Sequence, residues 1–282
     1  MNEYHKQIVE YYRSTKDAYK DSWDLERSLS IHYGYWDAMV RSFPESLIRM
    51  NEVMMEAAHI TKGDKVLDAG CGVGGSCIFL AATRGCHVTG ITLSEEQAEQ
   101  GRKHAVDRKL DHLVSFSVMD YCATTFPDSS FDVVWGCESI CYAADKEKFV
   151  RESMRLLKPG GRLVVADGFV TKFVYNDRPV IQKWLEGWQV KYLESPMRFR
   201  NMMHLEGYMD VEYRNISKYV KHSSRRLLKF YFLATAWLWW KTIRFSNRST
   251  LLQRKNIKSC WHQYWGLQQG LWQYGLITGR KK

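Results

Sequence analysis

The segment Val66–Gly75 reads VLDAGCGVGG. Gly70, Gly72 and Gly75 have the spacing of a dinucleotide-binding loop, where glycines accept positive φ and let the backbone approach a ligand. Asp68 stands two residues before the first glycine, where it would repel a pyrophosphate. A nicotinamide cofactor would also ask for an acidic residue at the end of the next strand, to hold the ribose. That strand ends Ile91-Thr92-Leu93-Ser94 and carries none. A ligand with an ammonium group and a ribose but no phosphate fits better, with Asp68 accepting from the ammonium directly or through water.

Such a turn needs a strand before it and a helix after it. KVLDAG is a short apolar strand and GSCIFLAAT continues as a helix. HVTGITLS, VSFSVMDY, FDVVWGCES and PGGRLVVADGF read as further strands, separated by the helical runs EEQAEQGRKHAVDRK and KEKFVRESMRLLK. Strands alternating with helices at this spacing predict a doubly wound, mostly parallel sheet of the α/β class, with ligands beyond the carboxyl ends of its strands. Late strands over about 207–215 and 270–282 bring the expected total to seven. The expected division is an N-terminal helical lid (1–55), a Rossmann-like core (56–170) and a helical cap that includes the last two strands (171–282). HYGYWD at 32–37 reads as a loop between helical pieces.

S-adenosylmethionine has the ammonium and the ribose that the turn asks for. VLDAGCGVGG, VTGITLSEEQ, VMDY, FDVVWGCESICY and LLKPGGRLVVADGF resemble the ordered motifs of class I S-adenosylmethionine-dependent methyltransferases. LSIHYGYWD and the C-terminal CWHQYWGLQQGLWQYGLITGRK resemble the γ-tocopherol, sterol and prenyl C-methyltransferase branch, so the likeness covers nearly the whole chain. The resemblance implies roles. Asp68, Gly70, Cys71 and Gly72 would cradle the methionine part. Thr92, Leu93, Ser94 and Gln97 would stand near the ribose, Asp120 would accept from the adenine amino group with Tyr121 beside it, and Cys137 and Glu138 would face the methyl-transfer point. In relatives the N-terminal segment folds over the cofactor, which would bring Tyr33 down on it.

Within that branch an acid near Glu138 accompanies alkene methylation. Adding a methyl cation to a double bond leaves a carbocation, which needs π faces or a carboxylate nearby and then a base. Glu138, His32 and Tyr33 are therefore the catalytic candidates. Glu138 has a second reading, as the holder of a helix N-terminus or a water network. His32 reads as a base, as a ligand for a substrate oxygen, or as a structural residue. Aromatic residues make up 14% of the chain and cluster at Tyr33–Trp36, Trp184–Tyr192 and Phe230–Trp240, either as π faces or as core packing. Lys218, Lys221, His222, Arg225 and Arg226 form either a diphosphate or anionic-headgroup site or a solvated helix face. No metal constellation is visible, and a diphosphate substrate would bring any Mg²⁺ with it.

The 282 residues carry a net charge of +10. From Arg214 onward there are 15 Lys/Arg and no Asp or Glu, so the first 213 residues hold 41 − 15 = 26 basic against 31 acidic residues. A field of that kind attracts phosphorylated substrates, acidic lipid surfaces or nucleic acid. No apolar run reaches membrane-spanning length, and Leu227–Phe245 reads as an amphipathic helix interrupted by Lys229, Lys241 and Arg244. The N-terminus lacks the apolar core of a secretory signal, and seven scattered cysteines suggest reduced thiols in a cytoplasmic protein. The expected function is C-methylation of an isoprenoid alkene such as a prenyl diphosphate. The rival is N- or O-methylation of a small amine or phenol. A nucleic-acid or membrane-surface binding protein is the third reading. The expected partner is a small, in the diphosphate case anionic, molecule rather than nucleic acid, with peripheral membrane contact left open.

Overall fold

The computed structural model describes residues 1–23, 25–245 and 250–282; of 17–22, 26, 27 and 241–245 it describes the backbone alone, so the side chains of Tyr19, Lys241 and Arg244 lie outside the described residues. The predicted strands form at β1 (Lys65–Ala69), β2 (His87–Thr92), β3 (Val114–Val118), β4 (Phe131–Cys137), β5 (Leu157–Val170), β6 (Tyr208–Asn215) and β7 (Trp272–Lys281). They make one sheet in the order β3-β2-β1-β4-β5-β7-β6. The first five pair in parallel, while β7 runs antiparallel to both β5 and β6. Val66, Val133, Val134, Leu163, Val164 and Val165 are at most 1% exposed, as expected of strands covered on both faces.

The order reverses between β1 and β4, so the loops leaving those two strands diverge and open a crevice. Asp68 pairs with Trp135 in register, which sets the Gly70–Gly72 turn beside the Cys137–Glu138 turn. Two helices start at the rim of this crevice. The first, Gly75–Arg84, begins after Gly74 in the left-handed region, where a Cβ would come 2.6 Å from the Phe116 ring. The second, Glu95–Asp107, is capped by Ser94, whose hydroxyl accepts from the Gln97 N–H. Antiparallel β7 pairs Trp272 with Val170 and Tyr274 with Gly168, so its first residues lie at the same end of the sheet.

Helical segments cover that end. In chain order the helices are α1 (Glu3–Trp23), α2 (Leu25–Ser28), α3 (Phe43–Ala57), α4 and α5 (the two just described), α6 (Lys146–Leu156), α7 (Pro179–Gly187), α8 (Pro196–Leu205), α9 (Ser217–Phe245) and α10 (Leu251–Gln268). The segment from 29 to 42 is the loop expected at HYGYWD, and cross-bonds fix it. Tyr35 N–H donates to Ser46 O at 2.8 Å, Trp36 N–H to Tyr219 O at 2.9 Å, and Gly34 N–H to the Ser223 hydroxyl at 3.0 Å. Gly34 has to be glycine, since a Cβ there would lie 1.9 Å from Ser46 Oγ.

Candidate active site

A cavity of about 440 Å³ opens over the glycine turn. Asp68, Gly70, Cys71 and Gly72 line its floor; Thr92, Leu93, Ser94 and Gln97 line one side; Tyr121, Cys137 and Glu138 line the other. Gly70 and Gly72 adopt φ of 93° and 53°, and a Cβ on Gly70 would come 2.5 Å from Ser139 Cβ. The turn is therefore closed to larger residues on two grounds. Asp68 is 2% exposed and accepts a hydrogen bond from Cys77 Sγ at 3.2 Å. No described cation pairs with it, and burial pushes its carboxyl up to about 7. Thr92 donates to Gln97 Oε1 at 2.7 Å, and Tyr121 donates to Ser139 O at 2.8 Å, so both walls are held by bonds of their own.

A second cavity of about 60 Å³ adjoins the first. Tyr12, Ile31, Tyr142 and Glu138 line both. Half of its remaining lining residues are aromatic, Trp23, Tyr33, Trp184, Trp188, Trp272 and Tyr274, and Asp167 lies among the rest. Glu138 occupies the seam. It sits at φ 48°, the left-handed region, and its N–H donates to Ala166 O at 2.9 Å. One carboxylate oxygen, Oε1, accepts from the Tyr33 N–H at 2.5 Å and from the Tyr274 hydroxyl at 2.6 Å. The partial exposure Glu138 keeps faces the cavities. Burial pushes its carboxyl up to about 8, against the pull of those two donors, and Asp167 adds like-charge repulsion.

His32 lines the first cavity and is 5% exposed. Its Nδ1 lies 3.0 Å from Tyr33 O, an acceptor, so the proton resides on Nδ1. Nε2 is buried without a hydrogen-bond partner, and burial lowers the imidazole to about 4. The ring is thus neutral near pH 7 and presents a lone pair. Two candidates stand elsewhere than expected. The Tyr33 side chain belongs to the second cavity, where it donates to Gln263 Oε1 at 2.8 Å, and only its backbone reaches Glu138. Asp120 is absent from the lining of either cavity; its Oδ1 accepts from Cys122 N–H at 2.8 Å and its Oδ2 lies 3.6 Å from His5 Nε2.

The basic cluster on α9 lies apart from both cavities. His222 stacks on Trp36 at 3.8 Å and Arg226 lies over the Phe43 ring at 3.9 Å. The basic side chains that do line the larger cavity are Arg13, Lys16 and His32, and Lys16 is paired with Glu96. Among the described residues no group of three or more His, Cys, Asp or Glu is placed to hold a metal ion.

Residues 67–165 match the family model described as a methyltransferase domain. The chain belongs to the class I S-adenosylmethionine-dependent methyltransferases. It is 36% identical over 151 residues to 27-O-demethylrifamycin SV methyltransferase of Amycolatopsis mediterranei, an alignment covering 54% of this chain and 56% of that protein. It therefore spans little more than half the length of that relative. It is 28% identical to the chloroplastic tocopherol O-methyltransferase of Arabidopsis thaliana over 98% of this chain and 82% of that one. Among solved structures, the [4+2]-cyclase SpnF superposes with a TM-score of 0.81 at 22% identity, covering 98% of this chain and 96% of that one. Geranyl diphosphate C-methyltransferase from Streptomyces coelicolor A3(2), solved with Mg²⁺, geranyl-S-thiolodiphosphate and S-adenosyl-L-homocysteine, gives 0.79 at 20% identity, covering 100% and 99%. At those identities the two structures speak for the fold.

The methyltransferase's residues fit the family cofactor. Asp68 is a buried carboxylate without a cation, beneath a turn whose glycines leave room, and an ammonium group would supply the missing charge. Several lining residues are not singled out by the sequence, namely Tyr12, Met119, Ser139, Asp167 and Tyr274, although all but Tyr12 lie within the quoted motif stretches. For Tyr274 one signal existed. Alternation along β7 puts Trp272 and Tyr274 on one face, but no spacing tied that face to Glu138.

Proposed function

We propose that this methyltransferase C-methylates an alkene in a small molecule with an isoprenoid part. Glu138 carries the reading: a carboxylate at the seam between the cofactor-side cavity and an aromatic one. When bound, S-adenosylmethionine supplies an already activated methyl group. Asp68 and the Gly70–Gly72 turn would hold its methionine part, and Thr92 and Gln97 its ribose side. The residues 1–55 would act as a lid and 171–282 as the cap that shapes the acceptor pocket. The Tyr33, Trp184 and Tyr274 rings would shield the cation left on the alkene carbon after methylation. The Glu138 carboxylate would then take a proton from the adjacent carbon, restoring a double bond. The second cavity is lined by no Lys, Arg or His, which favours placing an apolar part of the substrate there. A diphosphate, with any Mg²⁺ it brings, would have to extend toward Arg13 and Lys16.

His32, neutral, lining the larger cavity and with a buried Nε2 that has no partner, supports a second reading: O-methylation of a phenol with His32 as base. Labelled methyl transfer to an isoprenoid alcohol, its diphosphate and a hydroquinone separates the two. C-methylated isoprenoid, lost in Glu138→Gln, is the expected result. Transfer only to the hydroquinone oxygen, retained in Glu138→Gln and lost in His32→Ala, overturns it in favour of His32.

A further inference from the structure

Helix α9 changes character along its length. Val220, Ser223, Ser224 and Leu227 are buried against the body, but from Leu228 to Trp240 no residue is buried. Those 13 positions extend about 20 Å at the helical rise. On them Phe232 is 55% exposed, Leu233 72% and Trp239 69%, and Trp237 and Trp240 are about half exposed. The arm is braced rather than loose, because Tyr231 and Phe232 pack on Trp261 of α10 with ring centroids 5.4 and 5.9 Å apart.

Its outward stripe is ordered by charge. At 3.6 residues per turn, Lys218, Lys221, Arg225 and Lys229 fall in line, all exposed, and the same line continues as Phe232, Leu233 and Trp240. The basic residues stand nearer the body and the apolar ones follow them, before Lys241, Arg244 and Arg248 come in the sequence. Tryptophan prefers the boundary between water and hydrocarbon, and Lys/Arg behind it meet anionic headgroups. A second copy is a poorer occupant. Residues 214–282 hold 15 basic and no acidic residues, so a two-fold contact through this arm opposes like charges. No described helix is long and apolar enough to cross a membrane, so the arm would dock on the surface.

We propose that the α9–α10 arm docks the enzyme on an anionic bilayer, its exposed aromatic stretch over Phe232–Trp240 in the interface and Lys218, Lys221, Arg225 and Lys229 on the headgroups. The test is co-sedimentation of the full chain with vesicles of phosphatidylcholine alone or mixed with phosphatidylglycerol. Binding to the mixed vesicles is expected to be at least about tenfold tighter, to weaken with salt, and to shift tryptophan emission to the blue. Leu233→Ser with Trp239→Ser is expected to lower binding about tenfold while leaving the melting temperature and S-adenosylhomocysteine affinity unchanged. Arg225→Gln with Lys229→Gln is expected to remove most of the preference for acidic vesicles. A wild-type chain that ignores acidic vesicles, or a double-serine variant that binds them as well as wild type, overturns the assignment. A dimer that the double-serine variant makes monomeric, without vesicle binding, overturns it in favour of a second copy. Salt-sensitive retention on DNA without vesicle binding overturns it in favour of nucleic acid.

Discussion

The two cavities that meet at Glu138 are assembled in opposite ways. The larger one is lined largely by short stretches of chain that leave consecutive parallel strands: 68–76 after β1, 92–97 after β2, 119–121 after β3 and 137–139 after β4. The aromatic one gathers residues from 12, 33, 142, 184, 188 and 274, brought together by the N-terminal segment, α7 and antiparallel β7. The strand-end part of the first can be kept as a set of local motifs, because each strand end delivers its residues without help from the others; most of the rest of its lining, from Ile8 to His32, comes from the N-terminal segment. The second exists only when both ends of the chain close on the sheet. Acceptor choice can therefore drift while the cofactor cradle stays fixed, consistent with a fold shared at a TM-score of 0.81 with a protein named as a cyclase.

The sharpest test of this division falls on Glu138, one of the residues that line both sides. Glu138→Gln keeps the shape and an acceptor for Tyr33 N–H and Tyr274 but takes no proton, and kcat is expected to fall about 10²–10⁴-fold. S-adenosylhomocysteine affinity, read by calorimetry, should stay within about threefold. In the wild type, kcat/KM for the cofactor is expected to fall as the pH drops through about 8, where the free carboxyl becomes protonated. An unaltered kcat in the variant would break the division at its seam.

The next effect belongs to the cofactor side alone. Asp68→Asn removes the charge facing the ammonium and is expected to weaken cofactor binding about 10–100-fold. Wild-type affinity should tighten as the pH rises through about 7, where the Asp68 carboxyl ionises, and the variant should lose that trend. On the aromatic side alone, Trp188→Ala is expected to raise the acceptor KM about tenfold with cofactor affinity unchanged. A joint loss of both affinities would mean that the two cavities are one.

These expectations rest unequally on what the sequence disclosed. The strands, their order of appearance and the glycine turn were legible, because apolar runs and glycine spacings are local. All the cofactor-side candidates except Asp120 line the larger cavity. Asp120 follows β3 as expected, but helix α1 brings His5 to it, a contact no motif reports. Tyr33 was legible as a residue of interest, and its effect on Glu138 comes through a backbone N–H, which has no sequence signature. The aromatic run at Phe230–Trp240 showed its composition but not its placement. Core packing and an exposed arm look alike until α10 fixes which face is covered.

The smallest expected effect concerns stability of the free protein. Asp68 and Glu138 have carboxyls raised to about 7 and about 8 by burial, so the folded state holds protons that the unfolded chain has already released. Stability is then lost as the pH rises, and between 6.5 and 8 the His32 ring, lowered to about 4, is neutral in the fold and contributes little. The melting temperature is expected to fall over that interval by on the order of a few degrees. Saturating S-adenosylmethionine should flatten the slope, because a cationic ligand makes the ionised carboxylates welcome. A slope unchanged by the cofactor would detach Asp68 from its assigned partner.

Glu138 is held at φ 48°, where a side chain other than glycine's costs about 1–2 kcal/mol. It is also a carboxylate forced into a poorly solvated seam. On the proposed chemistry, the group that takes the proton is therefore one that the fold holds at a cost. A search for stabilising substitutions would reach this position early, offering glycine for the backbone and a neutral side chain for the cavity. Selection for robustness alone would erase it; on the proposed chemistry, selection for turnover would keep it.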